Sequence, residues 1–340
     1  MEVETTDFGY EYDIRHLKNR FCFRMPFRNL IASSALELQR YLDIDHFRES
    51  ERYARAESIP LRAQDFSVVR ASLSLPSCRL SLVRTFPRII NGYELPRRLI
   101  VVVPMDEVRS TRVNGREIGQ SLILMRGRAN CTVLEPEGRL VAILSIDSGL
   151  SDRSLPGFDS GLLLLRVPGA ALARLQSAVG SVLRFAAAEP AALAAADVLL
   201  RTEETLFASL NEAFHAARTC KSGGDATLDR YKAIVDQIDQ LIGLNPLDLD
   251  NEKLADSIGV SVRTLQTAAR SICGSGVYRY GRLRRLWSVR RQLRTGAPGL
   301  TVKASALAHG FWHQSEFSVT YHATFGELPS QTLKQARALN

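Results

Sequence analysis

A chain of 340 residues is long enough for about two domains. Its 45% hydrophobic and 24% charged content describes a globular protein and excludes a disordered or collagen-like one. The net charge of +8 is unevenly placed: residues 246–340 hold 13 Lys and Arg against 6 Asp and Glu, and the rest of the chain is close to neutral at +1. A neutral part joined to a basic one suggests that only the second meets a polyanion.

The first residues, MEVETTDFGYEYD, are acidic and hold no apolar run, so no secretory signal is expected there. No stretch reaches the roughly 18 apolar residues of a membrane span. The nearest, 190–200, is short and Ala-rich and is broken by Asp197. Cysteines at 22, 78, 131, 220 and 273 are odd in number and contain no CxxC pair. That argues against a disulfide framework or a cysteine zinc site, and points to a cytoplasmic location.

Residues 1–64 read as a partly helical leader, with helices expected at Ser34–Tyr41 and Asp45–Ala56. A β domain is expected over 65–167, and from 65 to 146 the hydrophobic period drops to two. Strands are expected at Phe66–Leu73, Arg79–Thr85, Leu99–Val103, Val108–Val113, Ser121–Met125, Cys131–Leu134 and Leu140–Ile146. Asn114-Gly115 is a two-residue hairpin signal, and Glu135–Gly138 is a second turn. Short strands with tight turns imply a small antiparallel barrel or sandwich. Arg70, Arg79, Arg84 and Arg126 lie in or beside these strands and read as outward-facing.

The region 168–245 turns helical, with helices at Pro168–Ala188 and Pro190–Ala217 and a break at Lys221–Gly224. Leu228, Tyr231, Val235, Ile238 and Ile242 then form one apolar stripe on a helix over 226–243. The stripe is either a dimer seam or a face packed on the chain's own barrel. Gly243–Asp248 reads as a helix stop and linker.

Residues 252–272, EKLADSIGVSVRTLQTAARSI, have helix-turn-helix grammar. Asp250 or Asn251 caps a first helix, Ala255 is small where a second helix approaches, Gly259 permits the turn and Ser261 caps the second helix. Val262, Leu265, Ala269 and Ile272 supply the inward face; Arg263, Thr264, Gln266, Thr267 and Arg270 fall on other faces. Arg and Gln are side chains that hydrogen-bond purine edges in the major groove. The small-residue and glycine spacing returns at Ala306–Gly310, followed by a helix over 313–324 anchored by Phe317 and Tyr321. Between the units lies an Arg-rich helix, 276–294, with Tyr280, Leu283, Leu286, Val289 and Leu293 facing inward. At about 1.5 Å per residue it is a spacer of the order of one DNA turn, about 34 Å. Trp287 and Trp312 read as packing residues, and some of the arginines as partners of acids such as Glu316 or Glu327.

The segments LADSIGVSVRTLQ, YRYGRLRRL and ALAHGFWHQSEFSVTYHATFGELPSQTL resemble the DNA-binding domain of the AraC/XylS family of bacterial transcription regulators. The resemblance implies an α+β chain: an N-terminal cupin-like antiparallel β-barrel, dimerisation helices, then an all-α domain over 246–340 with two helix-turn-helix motifs. It implies base-facing roles for Arg263, Gln266 and Thr267 in the first unit and for Gln314, Ser315 and Val319 in the second. The chain departs from the family pattern at Val319, where Arg is usual, at Ala269-Arg270, at Gly276-Val277 and at Gly281. Val319 cannot hydrogen-bond a base, so the second unit is expected to favour phosphate contacts and positioning.

The expected partners are double-stranded promoter DNA, RNA polymerase, a second copy of the chain and a possible small-molecule effector, with no membrane and no cofactor. The alternative is a regulator without a small-molecule effector, controlled by a protein partner through the N-terminal domain. An enzyme finds little support: no GxGxxG, GxxxxGK[ST] or GxSxG occurs, and none of the six histidines lies in 65–146.

Overall fold

A computed structural model describes residues 30–50, 55–63, 66–107, 110–147, 160–220, 225–244 and 250–339. It opens with β1 (Leu36–Tyr41), α1 (Ile44–Ser50), β2 (Arg55–Pro60), β3 (Val68–Ser74), β4 (Cys78–Arg84) and β5 (Arg88–Pro104). There follow β6 (Arg112–Val113), β7 (Arg116–Glu117), β8 (Leu122–Glu135), β9 (Leu140–Asp147) and β10 (Gly161–Arg166). Helices α2 (Gly169–Ala188), α3 (Pro190–Leu193) and α4 (Ala196–Ala216) precede β11 (Arg218–Cys220) and α5 (Ala226–Leu244). The tail is α6 (Asn251–Ile258), α7 (Val262–Cys273), α8 (Val277–Arg294), α9 (Val302–Ala308), α10 (Gln314–Phe325) and α11 (Pro329–Leu339).

All strand pairings are antiparallel. The main path runs β1-β3-β4-β9-β5-β8-β10-β11, with β2 on β5 and β6 on β8. The expected barrel is therefore an open sheet, because its terminal strands β1 and β11 do not pair with each other. The reason lies in what covers the sheet. Leu80, Leu82, Leu124 and Leu144 share a core with Leu175, Val179 and Leu183 of α2 and Leu206 and Leu210 of α4. Helices seal that face, so no closing strand is needed to remove it from water. Buried Glu203 of α4 accepts hydrogen bonds from the Ser77 N–H (2.8 Å) and hydroxyl (2.7 Å), fastening α4 to the turn before β4.

Side chains alternate across a strand, so the next residues face the other way. Val83 and Val141 join Phe47 of α1 and Leu286, Trp287, Val289, Phe317 and Tyr321 of the tail in a second core. The sheet is thus covered on both faces, which explains why its strands read as near-continuous apolar runs.

Five readings of the sequence change. The helix expected at Asp45–Ala56 ends at Ser50, and Arg55 and Ala56 open β2, which pairs with β5. Leu36–Tyr41 is a strand, because β3 offers a pairing edge and Leu36 reaches the sheet core. Leu99–Val103 is the end of the 17-residue β5, whose pairing with β8 shifts register between Leu95 and Leu99, around Pro96. The two strands expected at 121–125 and 131–134 are one 14-residue strand, β8. Arg70 is buried, not outward: it stacks over Tyr41 and Phe47 at 5.1 and 5.2 Å.

The hairpin at Asn114-Gly115 forms as expected, with φ of 50° and 80°. Of the linker expected at 243–248, Gly243 and Leu244 still belong to α5, while residues 245–248, the break at 221–224 and residues 108–109 of an expected strand lie outside the described residues. Cys78, Cys131 and Cys273 are free and buried, and burial pushes the first two thiols up to about 12 and about 11. Among the described residues no helix is long and apolar enough to cross a membrane.

The apolar stripe of α5 is covered by its own chain. Val235 packs with Ile89 and Leu134 of the sheet, while Ile238 and Ile242 pack with Leu254, Ala255 and Leu265 of α6 and α7. A helical period shows that a face is covered but not by which molecule.

Candidate nucleic-acid interface

The first helical hairpin is built by its caps. The Asp250 carboxylate accepts from the Glu252 N–H at 2.8 Å, opening α6. Gly259 ends it at φ 74°, in the left-handed region that favours glycine. The Ser261 hydroxyl then accepts from the Thr264 N–H at 3.1 Å, opening α7. Ala255 lies buried beside Leu265, where a larger side chain would force the two helices apart.

Leu265, Ala268, Ala269 and Ile272 turn inward, and Val262 does not: it is 37% exposed at the first position of α7. Arg263, Thr267 and Arg270 are exposed. Arg263 and Arg270 have no side-chain partner among the described residues, and the Thr267 hydroxyl donates to the Arg263 carbonyl (2.8 Å). Gln266 is half-buried, and its Oε1 accepts from the Val277 N–H (3.3 Å) at the start of α8. Gln266 thereby substitutes for a capping side chain at Gly276, whose own position supplies none. Its amide nitrogen is the atom left for a base.

The second hairpin is built differently. The Thr301 hydroxyl caps α9 by accepting from Ala304 N–H (3.1 Å). The cap residue of α10, His313, makes no such bond. Phe317, Tyr321 and Phe325 form the inward face of α10. Ser315 is exposed, Val319 is 70% exposed, and Gln314 is half-buried, its amide donating to the Phe311 carbonyl (3.2 Å). Trp287 is buried as expected, but Trp312 is 62% exposed at the entry to α10. Phe311 takes the inward place beside it, 5.1 Å from Phe317 between ring centres. The signal for Trp312 was its position: one residue past Phe311, it falls off the stripe that Phe317 and Tyr321 continue.

The spacer α8 has 18 residues and spans about 27 Å. Its arginines divide sharply. Arg282 donates to Glu316 (2.7 Å) and to the Thr320 hydroxyl (2.6 Å). Arg284 pairs with Glu57 of β2 (2.8 Å) and Asp239 of α5 (3.6 Å). Arg285 is buried over the Phe311 ring. Arg290 joins Asp45 of α1 to Glu327, and Arg294 also reaches Asp45 (3.3 Å). The expected pairings with Glu316 and Glu327 are thus both present. Arg279 and Arg291 remain exposed.

The DNA-facing candidates therefore fall in two groups: Arg263, Thr267 and Arg270, with the Gln266 amide, on α7, and Ser315, Val319 and half-buried Gln314 on α10, which packs across α8 at Arg282 through Glu316 and Thr320 and at Trp287 through Phe325. Residues 254–335 match the family model described as a helix-turn-helix domain. The XylDLEGF operon transcriptional activator 3 of Pseudomonas putida is 35% identical over 125 residues, 36% of this chain and 36% of that protein. Activator 1 of the same organism is 37% identical over 87 residues, 25% of this chain and 26% of that protein. The crystal structure of a probable AraC family transcriptional regulator from Rhodopseudomonas palustris is 33% identical, covering 31% of this chain and 98% of that one, with a TM-score of 0.29. The aligned part spans only 26–36% of the length of the curated relatives.

Proposed function

The chain carries a helix-turn-helix domain of the AraC/XylS family, and from that premise we propose that it is a sequence-specific transcription regulator that reads two neighbouring major-groove segments of promoter DNA. One observation carries the proposal: two helical hairpins packed on one 18-residue helix, each presenting an exposed polar or methyl-bearing face on its second helix. Recognition helices read bases through their N-terminal residues. Arg263 and Thr267 on α7, aided by Arg270 and the Gln266 amide, are assigned to bases and adjacent phosphates. On α10, Gln314 and Ser315 are assigned polar contacts, and Val319 contact with a thymine methyl.

In this reading 246–340 bind DNA, 65–167 form most of the regulatory sheet, joined by β1 and β2 from 1–64 and by β11, and the rest of 168–245 is mainly helical. Helix α5 works as part of the DNA-binding unit, since it shares a core with α6 and α7. RNA polymerase is the expected protein partner, and a second copy would dock through a surface other than the α5 stripe. Activation is the direction suggested by the names of the Pseudomonas relatives.

Control by a protein partner in place of a small molecule is the second reading. It is favoured by the filling of one sheet face with α2 and α4, which takes the place of a ligand inside a barrel.

Gel shift and footprinting at several salt concentrations test the proposal. Arg263→Ala should cost about 1–3 kcal/mol on the best site and relax specificity at one half of it. An equal loss on every sequence would make Arg263 a phosphate contact and remove the base-reading assignment.

A further inference from the structure

The two helical hairpins are copies of one unit, and the second carries one residue more. Ala255 and Gly259 return 51 positions on as Ala306 and Gly310. The Val260 and Phe311 N–H groups donate alike to the Ala255 and Ala306 carbonyls, at 3.0 Å each. The cap residue Ser261, the inward Leu265 and the left-handed Gly274 return 52 positions on as His313, Phe317 and Gly326. The extra residue falls between Phe311 and His313, and it is Trp312.

Packing does not account for this side chain. An apolar residue just before a helix cap commonly packs on the fourth helical residue. In α10 that residue is Phe317, and Phe311 already occupies the place beside it, 5.1 Å away between ring centres. Trp312 is left 62% exposed, with no partner for its ring or its Nε1–H among the described residues. The helix it introduces also lacks what the first reader has. Helix α7 presents exposed Arg263 and Arg270, whereas α10, QSEFSVTYHATF, holds no Lys or Arg.

We propose that Trp312 is a DNA contact: its indole ring lies against a deoxyribose at the rim of the groove that α10 enters, and its Nε1–H donates to the adjoining phosphate. The proposal rests on the reading of the chain as a DNA-binding regulator and adds the residue that holds the second reader in place. Chemistry selects the occupant. An indole is a broad apolar face with one donor and no acceptor, and a nucleotide strand sets an apolar sugar beside a phosphate that only accepts. Position selects backbone over base. The first residues of a recognition helix meet base edges, here Gln314 and Ser315, and Trp312 precedes them on the far side of the cap. Such a contact is blind to sequence and displaces no counterion, so it anchors α10 without a cation.

The test uses the full chain and the tightest duplex that it selects from a random-sequence pool. The chain has two tryptophans, and Trp287 is buried, so acrylamide quenching reports on Trp312. Bound duplex should shield that emission. Trp312→Ala should lower affinity about tenfold. The factor should be the same on the selected duplex and on duplexes altered beneath α10, and the salt slope should not change. Trp312→Phe, which keeps an apolar ring but no donor, should fall between. Melting temperatures of both variants should match wild type, because the side chain is exposed. Affinity of Trp312→Ala within about twofold of wild type overturns the proposal. So does a loss that varies with the base pairs beneath α10, which would make Trp312 a base reader. Shielding that appears only when RNA polymerase is added overturns it too, and would make Trp312 a protein contact. Affinity lost in Arg263→Ala but kept in Trp312→Ala removes this contact and leaves the regulator reading standing, whereas a wild-type chain that selects no duplex removes both.

Discussion

Arg290 sits on the most basic helix of the chain, yet its charge is spent internally, and replacing it should damage the fold more than DNA binding. Its side chain is 4% exposed. Its Nε and Nη2 donate to Asp45 Oδ2 at 3.2 and 3.0 Å, its Nη1 donates to Glu327, and its guanidinium lies 4.9 Å from the centre of the Phe325 ring. Asp45 and Glu327 are 12% and 20% exposed. Breaking a buried pair by removing one partner costs about 3–5 kcal/mol, because the other charge stays buried. Here the loss is softened: Asp45 keeps Arg294 at 3.3 Å, and Glu327 keeps the Thr332 hydroxyl at 2.7 Å. Arg290→Met, which preserves the apolar stem, should therefore cost about 2–4 kcal/mol. Asp45→Asn leaves Arg290 on Glu327 with an amide oxygen still to accept, and should cost about 1–2 kcal/mol. The two effects should be coupled by at least about 0.5 kcal/mol in a double-mutant cycle. Trp287, 5.7 Å from Phe325 between ring centres, reports on the site by fluorescence during urea unfolding, with Trp312 replaced by Phe to silence the exposed tryptophan. A loss under about 1 kcal/mol for Arg290→Met would refute the internal role, which a buried charged pair does not permit. So would a shallower salt dependence of DNA binding.

Three other outcomes follow from single side chains. Burial lifts the Asp239 carboxyl to about 6, against the lowering pull of Arg284 and of the Tyr280 hydroxyl at 2.8 Å. A raised carboxyl contributes stability at low pH that is lost as pH rises through about 6. Asp239→Asn should accordingly gain about 2–3 kcal/mol relative to wild type between pH 4.5 and 7.5 in urea melts, and parallel pH profiles would contradict this. At Gly115, φ is +80° and an added Cβ would lie 2.9 Å from Ile272 Cδ1 and 3.2 Å from the Ser271 carbonyl. Gly115→Ala should thus cost about 1–3 kcal/mol of thermal stability, and an unchanged melting temperature would mean that the hairpin does not press on α7. Gln266→Ala removes the acceptor for the Val277 N–H and should lower stability by about 1 kcal/mol, where exposed Arg263→Ala should not; equal melting temperatures would return Gln266 to a purely DNA-facing role.

What the sequence revealed and what it hid divide along the range of the interaction. The caps at Asp250 and Ser261, the turn at Gly259 and the hairpin at Asn114-Gly115 depend on residues within a few positions of one another. They are written locally and could be read. Leu36–Tyr41 is ambiguous alone, because Ala35, Leu38 and Tyr41 are spaced three apart as on a helix while Leu36 and Leu38 are two apart as on a strand, and pairing to β3, some 30 residues on, decides it. The barrel failed for a similar reason: whether a curved sheet closes depends on what else can cover it, and α2 and α4 come later in the chain. The arginines of α8 are the clearest case. Spacing distributes them around the helix, but their fates are set by Glu57, Asp45 and Asp239, between 45 and 245 positions away in the pairings formed.

That division limits how electrostatic DNA binding can be. The 13 Lys and Arg of residues 246–340 would give a salt slope near −12 if each met a phosphate, taking about −0.9 per neutralised charge. Six of them, Arg282, Arg284, Arg285, Arg290, Arg294 and Arg337, are held by acids, carbonyls or an aromatic ring of the chain itself. At most seven remain, so one bound copy should show a slope no steeper than about −6. Buried arginines cannot be recruited without undoing the core that α8 shares with the sheet. A measured slope near −12 per copy would mean that the latch to Asp45 and Glu57 opens on DNA, and that the tail binds as a body detached from the sheet.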